Sequence, residues 1–171
     1  MGSVLVPGTA FVELAIRAGD EAGCATIEEL TLEAPLVLPP QGGVRVQVAV
    51  GAPADSGRRE LSIYSQVEDE PWTRHATGLL GRTAPAADFE FAQWPPAQAE
   101  PLDVTSLYDG LAGIGFGYGP VFRGLRAAWR AGDDVFAEIT LPADGDAARF
   151  GLHPALMDAA LHAVGLGGFL P

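Results

Sequence analysis

Hydrophobic positions in the first half of the chain switch from a helical period to a period of two. Thr9 to Ala22 places Phe11, Leu14, Ala15, Ala18 and Ala22 at helical spacing between Pro7-Gly8 and Gly23, which predicts one amphipathic helix. Val44, Val46, Val48 and Val50 then alternate with Arg45, Gln47 and Ala49, and Leu61, Ile63, Ser65 and Val67 repeat the alternation. With strands expected over Ile27 to Leu38 and Trp72 to Leu80, residues 1–83 read as a helix followed by an antiparallel sheet. Residues 84–104 contain Pro85, Pro95, Pro96 and Pro101 without a sustained period and read as a linker. In residues 105–171, Ser106 to Leu111 predicts a short helix. Leu125, Ala127 and Trp129 alternate into a Gly132-Asp133 turn, and Val135, Ala137, Ile139 and Leu141 alternate out of it, which predicts a hairpin.

After Asp144 to Asp146 the chain runs into a last helix, Pro154 to Val164, with Pro154 suited to its first turn. This helix is apolar nearly all round, the pattern of a buried element, except that Asp158 and His162 share one face at i, i+4 spacing. A carboxyl carried into such a setting loses hydration and is biased toward holding its proton, which a general acid near neutral pH requires. One hairpin is too little sheet to wrap so apolar a helix. The expectation is a fragment, or a layer completed by another chain; a homodimer is one such arrangement.

Composition narrows the chemistry. A formal charge of −12 leaves no basic surface for nucleic acid or an anionic membrane. All ten basic residues are arginine, so Schiff-base, pyridoxal and P-loop lysine chemistry is excluded within this chain. Cys24 is the only cysteine, which rules out an internal disulfide and any multi-cysteine metal site. Val4 to Val6 lacks a basic lead-in and is broken by Pro7-Gly8, so no signal peptide is expected, no stretch is long enough to span a bilayer, and a cytoplasmic location follows as the default.

Each candidate residue has an ordinary structural explanation beside the functional one. Asp158 and His162 at i, i+4 can be a core polar pair or a catalytic pair, and no third ligand at suitable spacing accompanies them, so no metal site is expected. Gly115-Phe116-Gly117-Tyr118-Gly119-Pro120 lacks the following helix that a phosphate loop needs, because Pro120 and a strand-like Val121 to Trp129 come next. It reads as a tight backbone approach presenting Tyr118, or as a turn leading into a strand. Free N–H groups near Gly8 and Thr9 either polarise a carbonyl or simply begin a helix. His75 reads as part of a strand face.

Taken together, the segments resemble the dehydratase domain of modular type I polyketide synthases. The resemblance rests on Gly2-x4-Pro7 with Gly8-Thr9-Ala10-Phe11-Val12-Glu13-Leu14, on Trp72-x-Arg74-His75-Ala76-Thr77-Gly78, on Gly117-Tyr118-Gly119-Pro120-x-Phe122-x-Gly124-Leu125, and on Leu152-His153-Pro154-Ala155-Leu156-x-Asp158-Ala159-Ala160-Leu161-His162. It implies an α+β double hotdog, two units in which an antiparallel sheet wraps a long helix, the second unit incomplete. It also implies elimination of water from a 3-hydroxyacyl chain to give a 2,3-unsaturated thioester. The substrate would ride on the phosphopantetheine arm of an acyl carrier protein, with no bound cofactor, and neighbouring synthase domains would be partners.

By the same resemblance Asp158 protonates the departing hydroxyl, His162 takes a Gln/His position that orients it, and Tyr118, Gly119, Pro120, Leu5, Pro7 and Gly8 line the substrate's path. The family's first motif opens with a histidine four residues ahead of Gly2, the base that removes the α-proton, and neither His75 nor His153 matches it. The expectation is therefore a dehydratase piece truncated at both ends and inactive alone. A non-catalytic scaffold and a dehydratase-like cyclase or double-bond isomerase are the alternatives.

Overall fold

The structure, a computed structural model, describes residues 3–84, 86, 92–142 and 146–166. Gly2, Pro85 and Asp144, named above, lie outside the described residues. The chain divides into two units, Met1–Ala86 and Ala87–Pro171.

In the first unit, a short strand β1 (Val4–Leu5) leads into helix α1 (Gly8–Ala22), followed by β2 (Thr26–Leu32), β3 (Val37–Leu38), β4 (Arg45–Val50), β5 (Arg59–Gln66) and β6 (Thr73–Gly81). β1 pairs with β3, and the other four strands form an antiparallel sheet in the order β2-β6-β5-β4. The expected single strand from Ile27 to Leu38 is thus two strands in different sheets, broken before Pro35, which cannot donate to a ladder. α1 ends in a Schellman motif: Gly23 adopts φ 67°, its N–H reaches the Asp20 carbonyl, and the Cys24 N–H reaches Gly19 at 2.8 Å. The buried centre of α1 is Phe11, Ala15 and Gly19, with Leu14, Ala18 and Ala22 on its flank. Leu61 and Ile63 of β5 and Ala76 and Leu80 of β6 complete this core, as the period of two predicts for β5.

The second unit contains β7 (Glu100–Leu102), α2 (Leu107–Gly113), a 3-10 turn (Pro120–Phe122), β8 (Leu125–Ala131), β9 (Asp134–Ile139) and α3 (Pro154–Leu166). The sheet order is β7-β8-β9, antiparallel throughout, and α3 lies on β8 and β9. Each unit is therefore a helix against an antiparallel sheet, the hotdog arrangement.

Four sequence expectations differ here. Glu100–Leu102, inside the stretch read as linker, pairs with β8 as an edge strand, where Pro101 is tolerated. The chain after Pro120 makes a 3-10 turn before it becomes a strand. β8 also carries a bulge between Leu125 and Ala127, so Leu125 and Ala128, rather than Leu125 and Ala127, are the residues buried in it. α3 itself buries a stripe of alanines, Ala155, Ala159 and Ala163, while Leu161 and Val164 are exposed. Its apolar composition overstated its burial.

Candidate active site

α3 begins where the sequence places it, and its start has a side-chain cap. The Ala155 N–H donates to His153 Nδ1 at 3.1 Å, and the Leu156 N–H to the His153 carbonyl at 3.0 Å, so His153 supplies two of the acceptors that a helix N-terminus needs. Asp158 follows one turn later and His162 one turn after that. Their side chains are only 16% and 7% exposed, and His162 Nε2 stands 3.3 Å from Asp158 Oδ2. The two atoms are near enough for an ion pair but are not aligned as a hydrogen bond, and neither has a hydrogen-bond partner among the described residues. Native proteins rarely leave buried polar atoms unpaired, and when they do, a catalytic role is one of the few explanations.

Two tyrosines close around His162. The Tyr118 ring meets the imidazole edge-on, with centroids 4.3 Å apart, and Tyr108 lies nearly perpendicular to it at 5.6 Å. Tyr118 comes from the glycine-rich loop, yet the loop is not held by tight glycine packing. Among the described residues nothing lies within van der Waals reach of a β-carbon placed at Gly117 or Gly119, and within this loop only Gly115 requires a left-handed backbone, at φ 99°. The expectation of a tight backbone approach is corrected accordingly. The Arg123 Nε–H donates to the Tyr118 carbonyl at 2.9 Å, its guanidinium carbon sits 5.9 Å from the Tyr108 ring centre, and Gly119-Pro120 turns the chain into the 3-10 segment. Burial, then the Asp158 charge and then Tyr108, push the Tyr118 phenol above its ordinary pKa, so it stays a neutral donor at working pH.

Tyr108 was not nominated by the sequence reading. It stands on a short helix with no motif signature, and only the folded chain brings its hydroxyl to His162. The signal in sequence was no more than an aromatic on a predicted helix.

Leu5, Pro7 and Gly8 belong to the first unit. Leu5 is exposed on β1, Pro7 precedes α1 without a side-chain cap, and Gly8 opens the helix beside a groove of about 310 Å³ that Phe11, Leu32 and Pro35 also line. Thr9 Oγ1, in the first turn of α1, is buried without a hydrogen-bond partner among the described residues. His75 is a core residue. It is the extra residue of the bulge between β5 and β6, and its Nδ1 faces the Ala34 carbonyl at 3.0 Å while Nε2 meets Ser65 Oγ at 2.7 Å. Among the described residues no group of three or more His, Cys, Asp or Glu is placed to hold a metal, and no helix is long and apolar enough to cross a membrane.

Residues 1–66 match the family model for the polyketide synthase dehydratase domain, and residues 86–167 match that for the polyketide synthase dehydratase N-terminal domain. The chain belongs to the polyketide synthase dehydratase family. It is 59% identical over 177 residues to the pikromycin polyketide synthase component PikAII of Streptomyces venezuelae, covering 97% of this chain and 5% of that protein. Among solved structures, the dehydratase domain from the terminal module of the rifamycin polyketide synthase superposes with a TM-score of 0.89 at 55% identity, over 99% of this chain and 65% of that one. The CurK dehydratase superposes at 0.81 with 28% and 29% identity in two inactive mutants, one Asp-to-Asn and one His-to-Phe, over 96% of this chain and 60% of each of those. The dehydratase segment described here therefore spans a small part of a multidomain relative and somewhat under two thirds of the solved dehydratase chains.

Proposed function

We propose that Asp158 is the acid of a dehydratase acting on a 3-hydroxyacyl thioester carried on the phosphopantetheine arm of an acyl carrier protein. Asp158 gives its proton to the β-hydroxyl as the C–O bond breaks; a histidine four residues ahead of Gly2 takes the α-proton, the C–H electron pair becomes the new double bond, and water leaves. The observation that carries this reading is the buried Asp158–His162 pair, whose facing atoms stand 3.3 Å apart with their hydrogen-bonding capacity unspent. A hydroxyl delivered there finds a donor and an acceptor already desolvated. Tyr118 supports the role as a neutral phenol beside the same pair.

The histidines argue in the same direction. His75 is committed on both ring nitrogens and His153 caps α3, which supports a base drawn from outside the three histidines of residues 1–171. The inactive His-to-Phe and Asp-to-Asn mutants of the CurK dehydratase are consistent with a two-residue acid and base pair. With a net charge of −12, the chain gains no charge attraction toward an acidic carrier, so tethering within a synthase would supply the effective concentration.

The test is turnover of a 3-hydroxyacyl thioester by a complete dehydratase domain carrying this segment. Asp158→Asn should keep the fold and lower kcat by roughly 10²–10⁴ fold, since the amide preserves shape but cannot act as an acid. Residues 1–171 alone should show no turnover. Wild-type rates in Asp158→Asn, or turnover by residues 1–171, would overturn the reading.

A further inference from the structure

Tyr108 is held by a donor on one side and faces a ring nitrogen of His162 on the other. The Leu125 N–H, at the start of β8, donates to the Tyr108 hydroxyl oxygen at 3.1 Å, which leaves the phenolic proton free to be given away. The atom it meets is His162 Nδ1, at 3.4 Å. When Tyr108 donates to it, Nδ1 carries no hydrogen of its own, and the neutral imidazole then holds its hydrogen on Nε2. Nε2 is the nitrogen 3.3 Å from Asp158 Oδ2.

We infer that Tyr108 is a positioning residue that sets the tautomer of His162 and thereby turns an imidazole N–H toward Asp158. The donors then run in one direction, from Leu125 N–H through Tyr108 O–H to the His162 ring, whose Nε2–H stands 3.3 Å from Asp158 Oδ2 without being aligned on it. The catalytic consequence rests on the reading of Asp158 as the acid; the tautomer does not.

The experiment is ¹⁵N NMR of the histidine side chains in the complete domain, at a pH above the ordinary imidazole range, with His162 assigned by its loss in His162→Gln. The expected spectrum has His162 with its hydrogen on Nε2, and Tyr108→Phe shifts it toward a mixture of tautomers. Tyr108→Phe should also lower kcat by on the order of 10- to 100-fold with KM little changed, as expected when a catalytic histidine loses its fixed tautomer. A wild-type His162 protonated on Nδ1 overturns the inference without any variant, as does an unchanged tautomer in Tyr108→Phe. A changed tautomer with unchanged turnover removes the positioning role while leaving Asp158 as the acid, whereas full activity in Asp158→Asn removes the acid and leaves the tautomer standing.

Discussion

Gly124 lies directly under Ala159. A β-carbon placed at Gly124 would stand 3.1 Å from that of Ala159 and 2.9 Å from the Thr140 carbonyl oxygen, so α3 reaches the sheet only because position 124 has no side chain. Gly124→Ala should therefore push the helix outward and destabilise the second unit by about 1–3 kcal/mol, the usual cost of overpacking. Urea unfolding would read the loss, and a midpoint within error of wild type would show that the sheet yields instead.

His75 should matter for stability and not for chemistry. Removing the imidazole in His75→Ala leaves Ser65 Oγ and the Ala34 carbonyl without it in a buried site and opens a cavity beside Phe11. The expected loss is about 2–4 kcal/mol, from the cavity and the unpaired groups together. Calorimetry should show the lowered Tm, while kcat per folded molecule in the complete domain stays unchanged.

The cap at His153 is separable from the proposed catalytic pair. His153→Ala should cost about 1 kcal/mol, as for other lost N-caps, and His153→Asn should recover most of it because asparagine can accept the same Ala155 N–H. Comparing the two by thermal unfolding distinguishes capping from a role in turnover, which neither substitution should abolish.

Tyr118 predicts an alkaline weakness. Its folded pKa is raised, so below the unfolded value of about 10 the phenol is neutral in both states and nothing is lost. Above that value the unfolded chain ionises first, and stability falls as pH rises through the ordinary tyrosine range and on through the folded value. Tyr118→Phe should lack this part of the decline. Unfolding free energies of the two proteins, measured on either side of the tyrosine range, should diverge in that direction.

How much of this was legible in the sequence varies with the range of the interactions involved. α1 with its Gly23 stop, the alternation of β5 and the β8–β9 hairpin follow from local period and turn chemistry, which a linear reading can see. The bulge in β8 shifts which face is buried by one residue, and the period-two pattern of Leu125, Ala127 and Trp129 carries no mark of it. Asp158 and His162 were visible because one helix carries both. Tyr108 was not, since its link to His162 joins residues far apart in the chain and depends on where α2 comes to rest against α3.

The alanine stripe of α3 also limits how this domain can change. Ala155, Ala159 and Ala163 are sized to a sheet with no room for a longer side chain, so enlarging any of them moves the whole helix and carries Asp158 and His162 out of place with it. On the proposed roles of Tyr118 and Asp158, altered substrate preference would then come from the loop around Phe116 and Tyr118, where among the described residues nothing crowds Gly117 and a side chain can be added without disturbing the helix that holds the proposed acid. A library intended to broaden substrate scope would therefore randomise Ile114, Phe116 and Gly117 and leave Gly115 and the face of α3 alone.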